Sequence, residues 1–82
     1  MQLKNIGSNQ TELTISQTKI LFSYNTPVAA MNLTPEFHAQ HGAGMIKTSR
    51  KWSATTSKHI SAWCGSLDVK EVEQSVIDAL AN

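Results

Sequence analysis

Thr11-Glu12-Leu13-Thr14-Ile15-Ser16-Gln17-Thr18-Lys19-Ile20-Leu21-Phe22-Ser23-Tyr24 decides the class of fold. Leu13 and Ile15 alternate with polar residues, and Ile20, Phe22 and Tyr24 alternate again, which is the period of two of half-buried strands. Only Gln17 and Thr18 separate the runs Thr11–Ser16 and Lys19–Tyr24, so the two are expected to pair as a tight hairpin. Working outward, Leu3–Ile6 is a shorter candidate strand closed by Gly7-Ser8-Asn9. Asn25-Thr26-Pro27 breaks the chain before the run Val28–Asn32. Pro27 has no N–H for a ladder, so that strand should begin there or lie at a sheet edge. Leu33–Gly44 reads as a long connection in which Thr34 caps, and Pro35 opens, one helical turn ended by Gly42 and Gly44. Met45–Ser49 is one more strand.

The second half reads as two helices. The first covers Ala54–Cys64, with Ser53 as N-cap and Gly65 as its stop, and places Thr56, Ile60, Trp63 and Cys64 on one face. The second covers Val69–Ala81. Asp68 and Glu71 form a capping box, Leu67 and Val72 a hydrophobic staple, and Val69, Val72, Val76, Ala79 and Leu80 an apolar stripe. The expectation is one α+β domain over residues 1–82. A mostly antiparallel meander of four or five strands occupies 3–49, with a loop at 33–44, and a two-helix region at 53–81 packs both helices on one face of the sheet. Phe22 and Trp63 are the expected core anchors.

A chain of 82 residues buries only about 60–65% of its unfolded surface, which leaves little room for both a core and a deep pocket. That favours an interaction module over an enzyme. The longest apolar run, Pro27–Met31, is far short of the roughly 20 residues that span a bilayer, and no signal-peptide pattern opens the chain. A cytoplasmic location without membrane contact is expected, and the single cysteine agrees with a reducing compartment.

Net charge is only +1, but it is polarised. No acid lies between Glu36 and Asp68, a span holding Lys47, Arg50, Lys51, Lys58 and all three histidines. From Asp68 onward four acids face one lysine, Lys70. An electrostatic partner is therefore engaged by one face. The stretch 47–64 also carries both tryptophans, the cysteine and a run of hydroxyls. The start of its helix, with Arg50, Lys51, Trp52, Ser53, Thr55, Thr56 and Ser57, suits a phosphate or carboxylate. The competing reading is a set of capping hydroxyls on a solvated basic turn, with Trp52 in the core. The candidate partner-binding residues are Lys47, Arg50, Lys51, Trp52, Thr55, Thr56, Lys58 and His59.

Catalytic and metal sets are disfavoured. His59 and Cys64 are five residues apart on one helix, so their side chains diverge by about 140°. His38 and His41 have helical ligand spacing and could join His59 and Cys64 at a zinc ion. Gly42 and Gly44 nearby favour two loop histidines instead. No cofactor, metal or chemistry is expected. If the strand beginning at Pro27 is an edge, Tyr24, Pro27 and Met31 form an apolar patch that pairs with a second copy as a homodimer.

Phe22-Ser23-Tyr24-Asn25-Thr26-Pro27-Val28-Ala29, followed by Lys51-Trp52-Ser53-Ala54-Thr55-Thr56-Ser57-Lys58-His59-Ile60, resembles small uncharacterised proteins encoded by bacteriophages and other mobile elements. The resemblance covers Leu3 to Cys64. The loop from Thr34 to Ala43 and the helix after Gly65 look like departures from it. It implies a phage-type origin and no catalytic activity. The leading expectation is a small interaction protein that binds and inhibits or modulates a host protein, of the anti-defence or anti-CRISPR kind. The alternatives are a nucleic-acid module gripping phosphates with residues 47–59, and a structural homo-oligomeric phage protein.

Overall fold

The computed structural model describes residues 2–7, 9–65 and 69–81. Six strands form one sheet in sequence order: β1 (Gln2–Gly7), β2 (Gln10–Ile15), β3 (Thr18–Ser23), β4 (Thr26–Met31), β5 (Met45–Thr48) and β6 (Lys70–Val72). Neighbours are antiparallel through β5, and β6 joins β5 in parallel. Helices α1 (Pro35–His41), α2 (Ala54–Cys64) and α3 (Gln74–Ala81) complete an α+β domain. No helix among the described residues is long and apolar enough to cross a membrane.

The central hairpins hold, shifted by one residue. Ile15 pairs with Thr18, so the turn is Ser16-Gln17 rather than Gln17-Thr18. Ser16 sits at φ +56° and Tyr24 at φ +59°. Each is the first turn residue of its hairpin, where a primed turn demands positive φ to match strand twist. Tyr24 therefore does not share a strand face with Phe22. Pro27 lies not at an edge but in an interior strand. Leu21 pairs with Ala29 and Phe22 with Pro27, so Val28 is the extra residue of a β-bulge, a place where a missing N–H is tolerated. This overturns the Pro27 strand as a pairing edge.

The sheet is buried on both faces. Leu13, Ile20, Ala30 and Ile46 point to one side, where Phe37 of α1 and Ile77 of α3 close the core. Leu21, Val28, Ala29 and Met45 point to the other, under Cys64 of α2, with Ile60 and Trp63 packed around them. The expected placement of both C-terminal helices on one face is thus corrected. The cause is β6. It turns β5–α2–β6 into a parallel crossover, which takes a fixed hand and commits α2 to one face. The chain then continues into α3 on the other.

The expected helix over 69–81 is also corrected at its start. Lys70–Val72 is extended and pairs with Ile46–Thr48, and Val69 and Val72 pack into opposite cores, as odd-spaced residues of a strand must. The helix is Gln74–Ala81, with Ile77 at its buried centre and Ala79 exposed. The capping box and staple invoked Asp68 and Leu67, which lie outside the described residues. In the connection at 33–44, Thr34 caps and Pro35 opens α1 as expected, although the helix runs through His41. Gly42 ends it at φ +81°, where a side chain would also collide with Lys70.

Candidate functional site

Residues 49–53 leave β5, pass over one end of the sheet and start α2. Two concavities form along this path. The first is a groove of about 200 Å³. Lys47, Arg50 and Lys51 line it together with Ser57 and Ser61 of α2, and Glu71 of β6 contributes an acid. Thr48, itself buried, accepts a bond from the Arg50 backbone N–H through its hydroxyl (3.1 Å). That contact turns the chain and sets Arg50 at the rim.

The second is a cleft of about 170 Å³ walled by Tyr24 and Trp52, with Ser23, Val28 and Thr56 among its lining. Arg50 of the groove and Trp52 of the cleft touch, the guanidinium lying 4.6 Å from the centre of the indole ring, a cation–π contact. Trp52 is 38% exposed, so it is not the core residue of the alternative reading. Its Nε1 donates to Gln74 Oε1 at 3.3 Å, while the Gln74 amide donates to the Pro27 carbonyl (2.6 Å) and to Asp78 (2.9 Å). One side chain thus ties Trp52 to α3 and β4. Tyr24 is half exposed, and its ring lies 6.1 Å from that of His59.

The candidate residues of the sequence divide into three groups. Lys47, Arg50 and Lys51 converge on the groove, and Trp52 adjoins them. Thr55 and Lys58 are exposed on α2 but do not line the groove. Thr56 and His59 turn inward. The buried Ser23 hydroxyl sits 3.0 Å from Thr56 Oγ1 and 2.8 Å from His59 Nδ1, while Ser53 caps the helix by accepting from the Thr56 N–H (3.2 Å). These contacts seat α2 on β3. Trp63 adds another, its Nε1 donating to Glu12 Oε1 at 3.0 Å. Replacing Ser23 by alanine removes the contact of His59 Nδ1 and leaves the buried Thr56 hydroxyl with Ser53 alone. It should lower stability by about 1–3 kcal/mol, read as a lower denaturant midpoint at unchanged slope. An unchanged midpoint would show that the triad does not hold the helix.

Cys64 is buried, and desolvation pushes its thiol up, with the Lys47 charge opposing. A raised thiol is a poor nucleophile. The zinc set is dismantled by topology, because His38 and His41 lie on α1 and His59 and Cys64 on α2, across the sheet. Among the described residues no metal-binding cluster forms.

Sequence reasoning missed Tyr24 as part of the cleft, along with Ser61, Glu71 and Gln74. The exposed Trp52 beside Arg50 was the one local signal, but residues that complete the hollows come from β3, β4 and β6, and the Gln74 that holds Trp52 comes from α3.

No curated protein and no solved structure matches the chain. A family model described as "Family of unknown function (DUF8033)" matches residues 1–79, running past Cys64 and into the last helix. The chain belongs to that family of unknown function.

Proposed function

We propose that the chain is a non-catalytic interaction module that docks an acidic patch of a partner protein onto the Arg50–Trp52 junction. The observation that carries this reading is an exposed tryptophan stacked with an arginine between an aromatic cleft and a cationic groove. Tryptophan, tyrosine and arginine dominate the energetics of protein interfaces. Lys47, Lys51 and the exposed Lys58 supply the charge that steers an acidic surface into place. The resemblance to phage-encoded proteins directs the search to a host protein, with inhibition of a defence function as the outcome. Thr56 and His59 support the surface from beneath.

A second reading, phosphate-backbone binding, draws on the same three cations in the groove. Glu71 in that groove weighs against it. Titration with fluorescent single- and double-stranded DNA and RNA at about 50 and 200 mM salt separates the two, because phosphate contacts release counterions and weaken steeply with salt. Under the protein-docking reading, no micromolar nucleic-acid binding is expected at low salt. A host protein retained by the wild type and lost by Arg50→Ala/Lys51→Ala should then re-form the complex from purified components. Micromolar nucleic-acid binding that collapses with salt and with the double variant would transfer the surface to the second reading.

A further inference from the structure

We propose that two copies of this chain pair through β1, running antiparallel about a twofold axis at Leu3. β1 is an outer strand of the sheet, and Gln2 through Ile6 are all exposed, Leu3 at 66%. The other edge, β6, has only three residues. An open edge carries unpaired N–H and C=O groups. An identical antiparallel strand satisfies them symmetrically, since each contact made once is made twice by the twofold.

The register follows from the faces. Pairing with β2 sets Leu3 on the face of Leu13 and Lys4 on the face of Glu12. In a continuous antiparallel sheet, residues directly opposite share a face. A register centred on Lys4 sets two ammonium groups against each other, which is destabilising. Registers centred on Lys4 or Asn5 also recruit Ile6, the extra residue between Asn5 and Gly7 where pairing with β2 slips. Centring on Leu3 avoids both. It sets Leu3 against Leu3 of the second copy and Lys4 against Gln2, within the regular part of the strand. The leucine pair extends the apolar face that Leu13 begins.

A single short strand buries less than the roughly 800 Å² per partner of a standard interface, so the dimer should dissociate on dilution. β1 and the Arg50–Trp52 surface lie at different parts of the sheet. Each dimer therefore carries two docking surfaces, and the proposal does not rest on the docking reading.

The test is sedimentation velocity of the full chain across the micromolar range, with three variants. The wild type should shift from monomer to dimer with concentration, and Leu3→Arg should stay monomeric. Leu3→Cys should form a disulfide-linked dimer under mild oxidation, because the twofold sets each residue 3 against its own copy. Asn5→Cys should not, because its two copies are offset by four residues, about 13 Å along the strand. Far-UV circular dichroism should match in all four, since these side chains are exposed. A wild type monomeric throughout, a dimer that survives Leu3→Arg, or equal cross-linking of the two cysteine variants would each overturn the proposal.

Discussion

Replacing Ile46 by alanine should remove about 2–5 kcal/mol of folding stability. Ile46 has no exposed surface and stands at the middle of β5, opposite Ala30 on β4 and Lys70 on β6. Its side chain joins the core that Phe37 and Ile77 close from α1 and α3. The small Ala30 beside it cannot expand to fill the void, so the cavity persists and adds its own penalty to the lost transfer free energy. A domain of this length has a total stability of about 4–12 kcal/mol, so the substitution should remove a large share of it. Urea unfolding followed by tryptophan fluorescence measures the loss. A decrease below about 1 kcal/mol would mean that the two layers do not share this side chain as their centre.

The second large effect is on binding. Once a partner is in hand, Trp52→Ala should weaken it by at least about 2 kcal/mol, roughly 30-fold. The substitution should also lower stability, because most of the ring is buried and its indole N–H is bonded to Gln74, so binding is compared where circular dichroism shows both proteins folded. Truncation removes the wall of the cleft and the surface on which Arg50 is stacked. Lys51→Ala, at the rim, should lose less than Trp52→Ala and mostly through a slower on-rate. Isothermal titration and stopped-flow association distinguish these cases. An equal small loss for both substitutions would make the surface a diffuse electrostatic contact without an anchor.

The alternation in Thr11–Tyr24 and the caps at Ser53, Thr34 and Gly65 were enough to reveal the meander and two of the helices. The two-sided core was written less plainly. Leu21 follows Ile20, and Ala29 precedes Ala30, so each central strand carries consecutive apolar residues, the mark of burial on both faces. Tyr24, read as a strand residue, drew attention from that break in the pattern. The strand Lys70–Val72 was illegible for a different reason. Val69, Val72, Val76 and Leu80 satisfy a helical stripe, and only pairing with Ile46–Thr48, more than twenty residues earlier in the chain, pulls the first of them into extended form. In the candidate site, the basic and aromatic residues of one local segment were visible as a cluster. The inward role of Thr56 and His59 depended on Ser23 of a distant strand, and no local spacing encodes that.

The parallel pairing of β5 with β6 also sets an order of assembly. The hairpins from β1 to β4 close through short turns and can form early. β6 can join only after the intervening chain, with α2, has looped back, and the loop-closure entropy of that return is spent before any contact rewards it. Glu71 reaches the groove by this route, and Gln74 reaches Trp52. The proposed docking surface is therefore completed late, when Glu71 and Gln74 arrive beside Arg50 and Trp52. If β6 leaves first, a partly opened chain keeps the four-stranded meander of β1 to β4 but loses Glu71 and Gln74 from the proposed docking surface.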